Sequence, residues 1–153
     1  MARIDDGDAP SSIIASVIVQ ILEEMSNPLD GGVWPLYISM MPDDSDVEDN
    51  CGAIYDSPGI VNARLMREGE VVEHHGIQIK IRSTDYETGY RKIRELALDL
   101  DAVKNQSITL GDNVYTVNNL ARVGTIDYLG IEKESKRRYL FTVNFIACID
   151  GLN

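Results

Sequence analysis

Apolar residues first recur at helical spacing in Ile14, Val17, Ile18, Ile21, Leu22 and Met25, with Ser16, Gln20, Glu23 and Glu24 on the opposite side. Ser11 or Ser12 is the expected cap of this helix, because a hydroxyl there accepts from the first free backbone N–H groups. Ser26-Asn27-Pro28 stops it, since proline cannot continue a helix and disfavours one at the residue before. After an Asp30-Gly31-Gly32 connector, Pro35 to Met41 reads as a short strand. Pro42 to Asn50 reads as a solvated loop, because Asp43, Asp44, Asp46, Glu48 and Asp49 leave almost nothing apolar in it. A second strand is expected over Cys51 to Asp56, then a tight turn at Ser57-Pro58-Gly59 with a positive φ at the glycine. Arg64 to Val72 has the pattern of a projecting hairpin.

The period then changes to two. In Gly76 to Ser83, Ile77, Ile79 and Ile81 alternate with Gln78, Lys80 and Arg82, a strand with one face inward. A helix follows directly. Thr84 with Glu87 predicts a capping box, and Tyr86, Tyr90, Ile93, Ala97 and Leu100 form a core stripe with Leu96 and Val103 beside it. Gly89 costs that helix about 1 kcal/mol relative to alanine, so its missing side chain lets something pack closely there. The remainder reads as strands. Ser107 to Leu110 and Val114 to Val117 form a hairpin about Gly111-Asp112-Asn113. Ala121 to Tyr128 is another strand, and Gly130 to Lys136 a charged connection. Arg138 to Ile149 is a long last strand with Tyr139, Phe141, Val143, Phe145, Ala147 and Ile149 on one face. This order predicts an α+β fold: a mainly antiparallel β-sheet with two principal α-helices packed on one face. The expected organisation is a flexible N-terminal arm over residues 1–10 and a single α+β domain over 11–153.

At 153 residues the chain is long enough to bury a core without metal or disulfide staples. No window approaches the ~20 apolar residues that cross a bilayer, and the acidic N-terminus lacks the order of a signal peptide. A cytoplasmic protein without a membrane partner is expected. Charge narrows the choice further. Lys and Arg number 14 against 25 Asp and Glu, a formal net charge of −11, so phosphate neutralisation cannot drive binding and DNA should be repelled. Cys51 and Cys148 stand far apart in no metal-like spacing; they read as buried thiols on strands, with a disulfide as the alternative.

Candidate chemistry is sparse. His74 and His75 are adjacent on an extended chain, where side chains point to opposite sides, so they cannot hold one ion together. A Ca²⁺ loop starting at Asp44 needs glycine at its sixth position, where Asp49 stands. There is no Gly-x-Ser-x-Gly elbow, and Gly31-Gly32 lacks the Lys-Ser/Thr and helix of a phosphate loop. No catalytic, cofactor-binding or metal-ligating residue is therefore expected. A hydrolase built from two of the many carboxylates stays open as an alternative without positive support.

One combination carries a resemblance. An amphipathic first helix leads to strands, then Gly-Ile-Gln-Ile-Lys-Ile-Arg (residues 76–82) passes into Asp85-Tyr86-x-x-Gly89-Tyr90-x-x-Ile93-x-x-Leu96, and a β-rich end with a long last strand follows. This resembles the tail-terminator proteins of tailed bacteriophages, also described as minor capsid or tail-completion proteins. The resemblance implies a structural virion protein of the tail and neck. Its copies form a homo-hexameric ring at the head-proximal end of the tail tube, stop tube polymerisation, and meet a head-completion (stopper) or connector protein. The genome passes through the lumen without specific binding, and the particle is assembled in the host cytoplasm. No catalytic residue and no cofactor comes with the family. The rival reading is a small non-catalytic protein-binding or regulatory module of a cytoplasmic complex, with the acidic loop as its docking surface.

Overall fold

A computed structural model of the chain describes residues 8–30, 32–41, 49–61, 73–132 and 138–150. In chain order the elements are α1 (Pro10–Ser16), continued by a π-helical turn at Val17–Ile21; a 3₁₀ turn at Pro28–Asp30; β1 (Leu36–Ile38); β2 (Cys51–Val61); β3 (Glu73–Ser83); α2 (Tyr86–Asp101); β4 (Lys104–Leu110); β5 (Asn113–Glu132); and β6 (Arg138–Asp150). The strands form one sheet in the order β1-β2-β3-β6-β5-β4. β1 runs parallel to β2 and the other neighbours pair antiparallel, so the sheet is mixed.

The alternation on β3 sets the core. Ile77, Ile79 and Ile81 are fully buried and pair with Phe145, Val143 and Phe141 of β6, as the shared period of two requires. Ile13, Ile14, Val17 and Ile18 of the first helix join them, as do Ile93, Leu96 and Leu100 of α2 and Ile108, Tyr115 and Val117 of β4 and β5, in one cluster. α1 touches β1, β2 and β3 and also β4, although β1 and β4 are the two outermost strands. The sheet is therefore curled about the first helix. Tyr115 donates its hydroxyl to the Asp8 carboxylate at 2.7 Å, which fixes the chain just ahead of that helix. Residues 1–7 of the expected arm lie outside the described residues.

Several local expectations are corrected. Neither Ser11 nor Ser12 caps α1: Ala9 holds that position and Pro10 opens the helix. The buried Ser11 instead donates its N–H and hydroxyl to the two carboxylate oxygens of Asp56, at 2.9 and 2.8 Å. An acid from β2 thus does the work of a cap, and its charge complements the positive end of the helix. At α2 the cap is Asp85, whose carboxylate accepts from the N–H and hydroxyl of Thr88. Thr84 donates its N–H to Asn50 and is no part of a capping box. β1 ends earlier than expected, at Ile38, where the following Ser39 takes a φ of 64°.

Two expected breaks are absorbed as bulges. β2 runs through Ser57-Pro58-Gly59 with a register shift against β3, where Pro58 needs no N–H partner. The expected strands over Val114 to Val117 and Ala121 to Tyr128 are one strand, β5, which slips against β6 between Val117 and Asn119, Val123 and Asp127, and Tyr128 and Gly130. Gly124 and Gly130 have φ of 78° and 110°, so glycine supplies the backbone that two of these slips need. The Arg64 to Val72 hairpin and most of the acidic loop, residues 42–48, lie outside the described residues; β2 and β3 still pair at Val61 and Glu73.

Candidate assembly surfaces

The chemistry of the exposed surface follows from where apolar side chains are left in water. One group lies beside β1. The first helix ends at Ile21, short of the expected Ser26-Asn27-Pro28 stop, and Pro28 instead opens a 3₁₀ turn. There the Asn27 side-chain oxygen accepts from the Leu29 N–H at 3.0 Å, turning the chain outward. Ser26 donates its N–H to Trp34 O at 3.1 Å and accepts from the Leu36 N–H at 2.9 Å, which stitches the connector to the strand. Leu29 is left 93% exposed and Val33 80%, with Ile21, Ile38 and Met40 about half exposed. Between them opens a groove of about 420 Å³ lined by Ala15, Val19, Pro28, Leu29, Leu36 and Ile38 among others. None of the described residues that line it is charged.

The second group lies on the other side of the sheet. β4 covers β5 only as far as the pair Lys104–Asn119. From Leu120 to Glu132, no described strand flanks the outer side of β5. Val123, Tyr128, Leu129 and Ile131 are exposed along that stretch. Tyr86 and Tyr90, expected as core at the head of the α2 stripe, are 41% and 38% exposed and belong to this patch. The Tyr86 ring packs edge-on against Tyr128, Tyr139 and Phe141, with centroids 5.2, 5.8 and 5.2 Å away. Gly89 makes the arrangement possible. A Cβ there would stand 2.8 Å from the Phe141 ring, so the close approach expected of this glycine is made by phenylalanine.

Charged groups meet where the first helix ends against α2. Lys92 donates to the backbone oxygen and the carboxylate of Glu24, and stands over the Trp34 ring at 5.8 Å. The carboxylates of Glu24, Glu95 and Asp99 lie within 4.8 Å of one another. Burial and a hydrogen bond with Asp99 push the Glu24 carboxyl up to about 7, against the opposing pull of Lys92. Glu24 therefore holds its proton up to about neutral pH, and Lys92 already brings the cluster a positive charge. The sequence signal for this cluster is slight: Glu95 and Asp99, like charges four apart on a helix, mark a place where something must compensate.

The remaining candidates are dispersed. His74 and His75 sit half-buried within β3, opposite Ile60 of β2 and Ala147 of β6 respectively. Cys51 and Cys148 lie on β2 and β6 as thiols. Asp49, the last acid of the expected solvated loop, is held against the sheet. Its backbone oxygen accepts from buried Arg82 at 3.0 Å and its carboxylate lies 3.5 Å from buried Arg138.

The arrangement offers two largely apolar exposed surfaces on an acidic body: a groove with no charged residue in its described lining, and a β5 edge whose Arg122 and Asp127 are of opposite sign. A family model described as "Bacteriophage tail terminator protein" matches residues 7–150. No curated protein matches the chain.

Proposed function

Because the chain belongs to the bacteriophage tail terminator family, a structural kind of phage tail protein, we propose that its copies close into a ring of six at the head-proximal end of the tail tube. There the ring stops addition of further tube subunits and presents a face to the head-completion (stopper) or connector protein. The observation that carries this reading is the family match across residues 7–150, nearly the whole chain. Residues 11–153 act as one domain behind an N-terminal arm, expected over residues 1–10, whose last residues are docked at Asp8 and Pro10, with both helices laid on the concave side of the curled sheet. Their shared cluster with β3 and β6 supports that arrangement.

The chain acts by assembly and not by catalysis. Its apolar exposed surfaces suit protein contacts, and its net charge of −11 suits a lumen through which the genome slides without being held. No helix among the described residues is long and apolar enough to cross a membrane. Assembly takes place in the host cytoplasm, and the protein ends in the tail and neck of the virion.

The test is tail assembly without this protein. Tubes should then vary in length and fail to join heads, and purified protein added back should restore both. Tubes of normal length that join heads in its absence would overturn the proposal.

A further inference from the structure

We propose that the apolar groove between the first helix and β1 receives the outer edge of β5, at Tyr128, Leu129 and Ile131, from a second copy of this chain. The inference rests on the ring proposed above and names the contact that closes it. A ring of identical subunits needs a heterologous contact, one patch on each copy meeting a different patch on the next. The sheet supplies two such patches on its two sides: a groove at the β1 edge and, at β5, a strand edge that no described strand covers.

Charge selects the occupant. Each copy carries −11, so copies repel at long range, with a Debye length of about 8 Å at physiological ionic strength. They can touch only where like charges are not brought together. The described groove lining has no charged residue. Between Leu120 and Ile131 the charged residues are Arg122 and Asp127, of opposite sign, and Arg122 is already held by Asp101 at 2.6 Å. A foreign partner recruited by this acidic body would instead be expected to bring positive charge to an acidic surface. Two neutral apolar patches on one strongly charged chain fit each other better than they fit such a partner.

Shape agrees with charge. A groove of about 420 Å³ accommodates a few side chains and not a whole added strand. The slips of β5 at Val123–Asp127 and Tyr128–Gly130 interrupt a straight hydrogen-bonding edge, so contact there is made by side chains.

Two double variants test the contact, both at exposed positions. Leu29→Asp with Ile38→Asp spoils the groove, and Leu129→Asp with Ile131→Asp spoils the strand edge. Native mass measurement at high protein concentration and high salt should show a closed oligomer for the unmodified chain and monomers for either variant. Circular dichroism and thermal melting establish that both variants are folded. An equimolar mixture of the two variants retains one intact groove and one intact edge, so it should give a heterodimer that grows no further. Unmodified rings that persist in both variants would overturn the contact and leave the ring. An unmodified chain forming no ring, alone or in purified tails, would overturn the ring and the contact with it.

Discussion

In the C-terminal half of α2, Ile93, Leu96, Ala97 and Leu100 are fully buried, while Tyr86 and Tyr90, at the head of the same stripe, stay partly in water. Both halves obey one helical period and both touch the sheet. The difference lies in what covers them. The C-terminal half packs into the cluster shared with the first helix and β3. The first turns start directly after β3 ends at Ser83, and the rings there meet Tyr128 and Tyr139 along an edge that no described strand covers. Periodicity fixes which side of a helix is apolar; the extent of the sheet decides whether that side is buried by its own chain or left for another.

The comparison can be broken at graded cost. Leu96→Ala should destabilise the chain by about 2–5 kcal/mol, the range for emptying a buried leucine site. Denaturant unfolding measures it, and a loss near zero would show that this half is not the packed one. Gly89→Ala lies between the halves. Its new Cβ would meet Phe141 at 2.8 Å and the Ser83 Cβ at 2.9 Å. Overpacking of about 1–3 kcal/mol should outweigh a gain in helix propensity of up to about 1 kcal/mol. A variant as stable as the parent would mean the ring shifts aside freely.

Tyr90→Ala should cost about 1 kcal/mol, since it loses half-exposed area and an edge-on contact with Phe141. A loss equal to that of Leu96→Ala would erase the distinction between the halves.

The smallest effect concerns pH. The folded Glu24 carboxyl titrates near 7, above its ordinary value of 4.5. Between those values the folded chain holds more proton at this site than the unfolded chain does. Its stabilising contribution is therefore complete below about 4.5 and is lost as pH rises through about 7. The full shift corresponds to about 3 kcal/mol; with solvent screening leaving about 1 kcal/mol of it, Glu24→Gln should remove that decline and flatten Tm between about pH 5 and 8 by roughly 3 °C. An unchanged slope would place the titration elsewhere.

Much of the fold was legible because period alone determines it: the β3 alternation, the buried part of the α2 stripe and the inward face of β6 all pack as read. The caps were not legible. The acid serving α1 is Asp56, 45 residues away, and no local pattern points to it. The unity of β5 was hidden because Val114 to Val117 and Ala121 to Tyr128 read as separate strands, whereas pairing with β6 carries the chain between them through a bulge. The groove was hidden for a related reason. Its walls come from the first helix, the Pro28 turn and β1, and only their packing brings Val19 beside Ile38. The Glu24 cluster likewise joins the end of one helix to the middle of another.

On the proposed reading, this acidic subunit works as a ring on the tail tube. Imaging purified tails with enough detail to count copies tests it most directly. Six copies are expected in one closed ring at the head-proximal end of the tube, each placing Leu129 and Ile131 against the Leu29–Ile38 groove of its neighbour. A protein absent from the particles, or present as a single asymmetric copy, would contradict it.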